Sequence, residues 1–188
     1  MNASTINGAT TIQMYGIVED SIVDGPGLRF SVFVQGCPHH CKGCHNPESW
    51  NIEGGYQQSL DALVQEIEAA KLTQGITLTG GEPFDQAPQL AYVVRELKEH
   101  NPALSIWAYS GYHYEDLLVD ANKRGTKELL DLCDVLVDGP FIQELNSYEL
   151  IWKGSSNQRV IDLKKTRIRG EVILWHEENL GFEPPASW

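Results

Sequence analysis

Apolar residues along the chain follow two spacings, one typical of buried strands and the other of amphipathic helices. The run Arg29–Gln35 (RFSVFVQ) predicts a strand that ends at Gly36. Apolar residues at helical spacing begin after Ser59, a suitable N-cap residue. Short apolar runs and helical segments then alternate as far as Val137.

The alternation predicts a sequence of further elements. The predicted helices are Leu60–Ala70, Pro88–Leu97, Tyr114–Ala121 and Lys127–Leu132, and the predicted strands are Ile76–Thr79, Leu104–Tyr109, Asp134–Val137 and, with a weaker pattern, Tyr148–Lys153, Arg159–Leu163 and Glu171–Trp175. Strands that alternate with helices indicate an α/β fold, in which helices cover a parallel sheet. The sheet is either open or part of a (β/α) barrel.

Length and charge limit the possible partners. The chain has 188 residues and a net charge of −12, from 14 Lys and Arg against 26 Asp and Glu. The absence of a basic run argues against binding to nucleic acid or to anionic lipid. No apolar run approaches the roughly 18 residues that span a bilayer. The first basic residue is Arg29, so we expect no signal peptide and a cytoplasmic location.

Three of the four cysteines lie within eight residues, in the segment Cys37-Pro-His-His-Cys41-Lys-Gly-Cys44. In the cytoplasm such a group favours a metal site over a disulfide. Three thiolates would leave one iron of a [4Fe-4S] cluster open to another ligand. The alternative is a zinc site in a non-enzymatic scaffold, with His39, His40 or His45 as the fourth ligand.

Polar or glycine-rich residues follow each predicted strand. Cys37 follows the first strand, Gly80-Gly81-Glu82-Pro83 the second, Ser110 the third and Asp138 the fourth. The carboxyl ends of parallel strands form the face on which ligands bind, so we expect a site there. Two glycines permit close backbone approach, and Glu82 is able to accept a hydrogen bond from an ammonium group. Each of these segments also fits an ordinary turn.

The cysteine spacing together with Gly-Gly-Glu-Pro resembles the radical S-adenosylmethionine superfamily. Within it, Asp24-Gly-Pro-Gly-Leu-Arg29 resembles the activases that make glycyl radicals. The segments Trp107–Tyr112, Asp134–Phe141 and Leu150–Gln158 narrow the similarity to the family of activating proteins of anaerobic, class III ribonucleotide reductases. The resemblance covers residues 14–163, which leaves residues 1–13 as a flexible N-terminal extension and residues 164–188 as a C-terminal tail.

The resemblance implies an incomplete (β/α) barrel and a set of cofactor contacts. Cys37, Cys41 and Cys44 would hold three irons of one [4Fe-4S] cluster per chain, and S-adenosylmethionine would bind the fourth iron. The implied contacts to S-adenosylmethionine are Gly43, Cys44 and His45 around the adenine, Gly80, Gly81 and Glu82 at the methionyl amino group, and Ser110 and Asp138 at the border of the same cavity.

The implied activity is the making of a glycyl radical on the catalytic subunit of anaerobic ribonucleoside-triphosphate reductase. S-adenosylmethionine would be cleaved by one electron to methionine and a 5′-deoxyadenosyl radical, which removes hydrogen from the glycine. A flavodoxin or a ferredoxin would supply the electron. The alternatives within the superfamily are an activase of pyruvate formate-lyase and a small-molecule enzyme such as carboxydeazaguanine synthase.

Three further segments have expectations of their own. Cys133 is expected to be a small buried hydrophobic residue. The polar segment Gly154–Gln158 fits either a surface loop or a surface for a partner. The segment Asp24–Arg29, with two glycines, is expected to be mobile and to close over the site.

Overall fold

A seven-stranded mixed sheet forms the centre of the molecule in the computed structural model, which describes residues 10–119 and 125–176. The strand order is β3-β1-β2-β4-β5-β6-β7. The strands are β1 (Thr11–Ser21), β2 (Arg29–Val34), β3 (Tyr56–Ser59), β4 (Gly75–Gly80), β5 (Ser105–Tyr109), β6 (Val135–Asp138) and β7 (Arg159–Asp162). The helices are α1 (Leu60–Ala69), α2 (Ala87–His100), α3 (Tyr114–Val119), α4 (Thr126–Leu132) and α5 (Leu163–Arg169).

Four neighbouring strands, β2, β4, β5 and β6, run parallel, and this part of the sheet confirms the alternation read from the sequence. In register, Val34 lies opposite Gly80, and Tyr109 lies opposite Val137. The carboxyl ends of these strands therefore meet at one edge of the sheet, as the sequence predicts. The helices α1 and α2 begin within one residue of their predicted starts.

The two faces of the sheet have different roles. Even-numbered strand residues, for example Val32, Leu78 and Ile106, pack with α1 and α2 in the main hydrophobic core. Odd-numbered residues point to the opposite face, since successive side chains of a strand alternate. That face carries the buried polar residues Ser31 and Thr77 and a smaller apolar cluster around Trp107. We call the face that packs with α1 and α2 the outer face and the opposite one the inner face. A polar site is thus possible on the inner face.

The strands at both edges of the sheet are antiparallel to their neighbours, which corrects the expectation of a parallel sheet. Strand β1 pairs antiparallel with β2 and β3, and β7 pairs antiparallel with β6. Strand β1 begins at Thr11, so residues 11–13 belong to the sheet and not to a flexible extension. Residues 1–9 lie outside the described residues.

Strand β1 was not predicted because two register shifts interrupt its two-residue period. They fall between Met14 and Gly16 and between Val18 and Ser21, and a bulge of this kind removes the regular alternation that marks a strand. Strand β3 was missed for another reason. Its sequence Tyr-Gln-Gln-Ser contains no aliphatic residue, as suits a mostly exposed edge strand.

Two weakly predicted strands are absent from the described residues. Tyr148–Lys153 lies in turns and bends, and Glu171–Trp175 takes part only in an isolated bridge between Leu174 and Ile161. Arg159–Leu163 is confirmed as β7 with its last residue in α5. The tail therefore packs on the molecule as far as Trp175, whose ring lies 5.1 Å from that of Trp107. Residues 120–124 and 177–188, which include the end of the predicted helix Tyr114–Ala121, lie outside the described residues.

Arg29 is buried at the opposite end of the parallel strands from the cysteines. Its guanidinium lies 5.5 Å from the ring of Trp107 and donates to Thr77 Oγ1 at 2.6 Å. It also donates to the carbonyls of Ile76 and Ser105 at 2.5 and 3.1 Å. Burial lowers the pKa of Arg29 to about 10, so the side chain remains charged at neutral pH. These bonds close the amino-terminal end of the inner face.

The helices in the described part of the chain are short or amphipathic. None of them has the length and apolar character that a membrane span requires.

Candidate functional site

A cavity of about 400 Å³ opens at the carboxyl ends of the parallel strands. Phe33, Thr79 and Tyr109, which are odd-numbered residues near the ends of β2, β4 and β5, form part of its wall. The sequence placed the site at this edge, and the registers described above explain the placement. The cavity therefore lies on the inner face of the sheet, away from the helices that pack on its outer face.

The cysteine segment forms another wall of the cavity. Cys37, Cys41 and Cys44 all line it, and all three thiols are free and half-buried. The loop leaves β2 at Gly36, and the amide of Cys37 donates to the carbonyl of Trp50 at 3.1 Å. Burial raises the pKa of Cys37 to about 11, and the nearby carboxylate of Glu82 acts in the same direction. The structure thus brings together all three predicted iron ligands.

The turn after β4 packs directly against the start of the cysteine loop. A side chain on Gly81 would place its Cβ 2.2 Å from the carbonyl oxygen of Gly36. Gly80 has a φ of +93°, and its Cβ would lie 2.7 Å from Cα of Phe33. Backbone packing alone therefore requires both glycines. Both also line the cavity, where the sequence placed them.

Glu82 is fully buried and joins several segments beneath the cavity wall. Its carboxylate accepts from the amides of Phe84 and Gly111 at 3.0 and 2.9 Å. It also accepts from Ser110 Oγ at 3.0 Å and from His39 Nε2 at 2.8 Å. Four donors match the roughly four acceptor positions of a carboxylate. Glu82 therefore holds the turn, the end of β5 and the cysteine loop together.

Not every predicted cofactor contact lines the cavity. Cys44, His45 and Ser110 do, in addition to the two glycines. Gly43 faces Gln143 instead, since a Cβ on Gly43 would lie 2.8 Å from the side chain of that glutamine. Glu82 is committed to the four donors described above.

Asp138 also lies behind the cavity and not on its wall. Its buried carboxylate accepts from the amide of Tyr114 at 2.8 Å and from Arg159 Nε at 3.0 Å. Asp138 thus anchors the start of α3 and the edge strand β7. This role in holding secondary-structure elements in place exceeds that of a simple turn former.

Several residues in the cavity wall were not singled out from the sequence. Tyr109 is one of them, and its hydroxyl donates to the carbonyl of Trp152 at 3.0 Å. Burial raises the pKa of Tyr109 above its ordinary value, so the phenol stays protonated. Strand alternation alone would have placed Phe33, Thr79 and Tyr109 on one face. Phe141 and Leu150 come from a loop whose sequence carries no such signal.

Hydrogen bonds hold the start of the segment Asp24–Arg29 in the structure, and its closure over the site stays a prediction. The carboxylate of Asp24 accepts from Ser21 and Ser31 at 2.6 and 2.7 Å, and its carbonyl accepts from Thr77 at 2.7 Å. The two glycines adopt φ values of +134° and +75°, which explains why glycine is needed there. The segment is therefore an anchored part of the inner face, and Asp24 itself lines the cavity.

The segment Gly154–Gln158 is held by its own polar side chains. Gln158 Oε1 accepts from the amide of Gly154 at 2.8 Å, and Gln158 Nε2 donates to the carbonyl of Gly139 at 2.9 Å. Asn157 Nδ2 donates to the carbonyl of Pro140 at 2.8 Å. The loop is thus fixed to the end of β6, and Gly154 and Gln158 line the cavity.

The donor set of the cavity fits an iron–sulfur cluster. Three thiols from one short loop face a common space, and thiolates are the ligands that such clusters prefer. A single zinc ion would instead need several ligands around one point. Within residues 10–119 and 125–176, no group of three or more His, Cys, Asp or Glu side chains has that arrangement. Metal analysis of the purified protein therefore decides between the cluster and zinc.

Comparison with known proteins identifies the family to which this chain belongs. The model of the 4Fe-4S single cluster domain family matches residues 23–161, which include the residues that line the cavity and strands β2–β6. The anaerobic ribonucleoside-triphosphate reductase-activating protein of Escherichia coli K12 is 36% identical over 149 residues, which cover 76% of this chain and 94% of that protein.

Relatives from two other sources give the same result. The protein of the same name from Vibrio cholerae is 37% identical over 143 residues, with 73% of this chain and 89% of the relative covered. The protein of that name from bacteriophage T4 is 35% identical over 143 residues, which cover 73% of this chain and 86% of the relative. The chain therefore belongs to the 4Fe-4S single cluster domain family that includes the anaerobic ribonucleoside-triphosphate reductase-activating proteins.

Proposed function

We propose that this protein activates an anaerobic ribonucleotide reductase by making a glycyl radical on its catalytic subunit. The observation that carries the proposal is the cavity at the strand ends, whose wall combines three free thiols with Gly80 and Gly81. The names of the relatives support the choice of partner.

Cys37, Cys41 and Cys44 would hold the [4Fe-4S] cluster, and S-adenosylmethionine would share the cavity of about 400 Å³ with it. Held there, the cluster would pass on one electron from an external reductant, and this electron would allow S-adenosylmethionine to be cleaved to methionine and a 5′-deoxyadenosyl radical that would take hydrogen from the glycine. His45, Gly80, Gly81 and Ser110 are the predicted contacts that line this space. Gly43, Glu82 and Asp138 do not line the cavity, so they would support its wall from behind.

The chain itself would orient the reactants and exclude water from them. Phe33, Phe141 and Trp152 supply apolar surface to the cavity wall. Tyr109 contributes a protonated hydroxyl that already donates to a backbone carbonyl. None of these groups needs to exchange a proton during a hydrogen-atom transfer, so the wall serves mainly to position and to shield.

Further parts of the proposal concern architecture, reductant and location. We regard the open sheet, with a cavity on its inner face, as an incomplete (β/α) barrel of the radical S-adenosylmethionine type within residues 14–163. A flavodoxin or a ferredoxin would supply the electron. All four cysteines are free, which suits the reducing conditions of the cytoplasm.

Product analysis under anaerobic conditions tests the proposed chemistry. Reduced, iron-loaded protein should convert S-adenosylmethionine to methionine and 5′-deoxyadenosine, and the Cys41→Ala variant should release neither. Failure of the iron-loaded protein to consume S-adenosylmethionine would contradict the proposal. A colourless protein that holds one zinc per chain would favour the scaffold alternative.

A further inference from the structure

His39 lies between two of the predicted iron ligands, yet its side chain bonds to a different part of the site. Its Nε2 lies 2.8 Å from Glu82 Oε2, and the two side chains are 16% and 0% exposed. Because the partner is a carboxylate, the ring nitrogen Nε2 carries the proton and donates it. The bond therefore links the cysteine loop to the residue that follows Gly80 and Gly81.

The imidazole is held on more than one side. A Cβ on Gly111 would lie 2.3 Å from His39 Cδ2, so only a glycine leaves room for the ring. The ring of Tyr112 packs edge-on against it, with 4.4 Å between the ring centroids. His39 is thus fixed in one orientation, and Glu82 is fixed by its three other donors.

Few other bonds hold the cysteine loop in place. Among the hydrogen bonds of the described residues, two other side chains from residues 38–45 bond outside that range. Cys44 Sγ accepts from the nearby amide of Asn46 at 3.4 Å, and Lys42 donates to Glu144 at 3.0 Å. That pair is exposed, at 80% and 65%, and an ion pair of this kind contributes little. Backbone bonds hold only the start of the loop, where the amide of Glu82 donates to the carbonyl of Gly36 at 2.7 Å and that of Cys37 to the carbonyl of Trp50 at 3.1 Å. The bond from His39 is therefore the buried side-chain link between residues 38–45 and the turn after β4.

We propose that His39 is a positioning residue, which fixes the thiols of Cys41 and Cys44 relative to the Gly80–Gly81 turn through Glu82. The inference rests on the proposed function, since it assumes that cluster and S-adenosylmethionine occupy the two sides of this cavity. Loss of the bond would leave the three thiols able to bind iron. It would also let the loop move away from the turn against which the second ligand must fit.

A matched set of variants tests this role. His39→Asn removes the donor, because the shorter amide does not reach the position of Nε2, whereas His39→Gln carries an amide nitrogen that does. The control is His40→Asn in the same loop, because the His40 ring only packs on Trp50, at 4.9 Å. Asparagine also tolerates the φ of +47° that the backbone adopts at His40.

Iron content and the dissociation constant of S-adenosylmethionine are measured for each anaerobically loaded variant. We expect normal iron in all three, binding about tenfold weaker in His39→Asn, and near-normal binding in the other two. The electron paramagnetic resonance signal of the reduced cluster should change less on addition of S-adenosylmethionine in His39→Asn than in the unmodified protein.

Equal binding by His39→Asn and the unmodified protein would overturn the inference, as would an equal loss in His40→Asn. Loss of iron in both His39 variants would make His39 a ligand and would also overturn it. The proposed function fails in a distinguishable way, because the unmodified protein would then bind no S-adenosylmethionine at all.

Discussion

Individual thiols differ sharply in their surroundings. Cys37, Cys41 and Cys44 are half-buried around one cavity, whereas Cys133 is fully buried in the main core. Burial raises the pKa of Cys133 to about 12, so this thiol stays protonated and unreactive. The environment of Cys133 is the apolar one that its sequence predicts.

Single replacements of these cysteines should therefore separate into two groups. We expect the anaerobically loaded protein to bind about four irons, in keeping with a single [4Fe-4S] cluster. Cys37→Ala, Cys41→Ala and Cys44→Ala should each lose the iron, and Cys133→Ala should keep it. Iron and sulfide analysis checks this, and full iron in Cys41→Ala would show that the ligand assignment is wrong.

Gly81 illustrates how one residue can affect both sides of the site. Since a Cβ would lie 2.2 Å from the carbonyl oxygen of Gly36, Gly81→Ala should push the start of the cysteine loop outward. We expect lower iron retention and weaker S-adenosylmethionine binding in this variant. Gly16→Ala is the control, because a Cβ there meets nothing within 4 Å. Unchanged iron and affinity in Gly81→Ala would contradict the described packing.

The sequence identified the site residues by type and spacing, but it did not supply their side-chain partners. Glu82 was expected to accept from a ligand, and the structure instead gives it four protein donors, one from its own turn and three from two other segments. Such partners come from residues far apart in the chain, for example His39 and Ser110. Local sequence patterns contain no information about contacts between residues so far apart in the chain.

At the level of secondary structure, the region after β6 departs most from its predicted form. The ring of Trp175 packs against Trp107 on the inner face, and the Trp175 amide donates to the carbonyl of Val160 at 2.8 Å. Trp175→Ala should lower the free energy of unfolding by about 2 kcal/mol, less than a fully buried Trp would cost.

Urea unfolding of the metal-free protein measures this change. The neighbouring Leu174→Ala is the matched control, since Leu174 is 47% exposed and its loss should cost within about 0.5 kcal/mol. Equal effects of the two replacements would show that the tail does not contribute to the inner face as described.

Arg159 connects β7 to α3 through an ion pair with Glu115, at 3.1 and 2.7 Å. The hydrogen bonds from Arg159 lower the pKa of Glu115 below its ordinary value. The pair therefore stabilises the fold above the pKa of the unfolded state, and the contribution is lost as the pH falls through the lower pKa of the folded state.

Glu115→Gln should consequently destabilise the protein by about 0.5 kcal/mol near pH 7, a small amount because the pair is partly exposed. At a pH below the lowered pKa of Glu115, the two proteins should be equally stable. Thermal unfolding at both pH values checks this, with the exposed Glu53→Gln as a control. A difference that grows on acidification would contradict the assigned direction.

The central elements were predictable because each has a regular period. Strands β2, β4, β5 and β6 have compact apolar runs, and α1 and α2 have a clear helical face. The edge strands β1 and β3 were not predictable, because bulges in β1 and the polar sequence of β3 hide the two-residue period of a strand. Antiparallel pairing at the edges therefore emerged only from the structure.

For the whole molecule, the parallel centre of the sheet brings distant segments to one cavity. The cysteine loop, the glycine turn and the ends of β5 and β6 are contiguous there, although they span more than a hundred residues of the chain. Val23 and Asp24, which follow β1, and the loop that contains Phe141 and Leu150 complete the wall.

The most direct test is electron paramagnetic resonance of the reduced, iron-loaded protein mixed with S-adenosylmethionine and an anaerobic ribonucleotide reductase. We expect a glycyl radical signal on the reductase, and no signal when Cys41→Ala replaces the unmodified protein. Cleavage of S-adenosylmethionine without a radical on the reductase, together with a radical on pyruvate formate-lyase in the parallel mixture, would contradict the account.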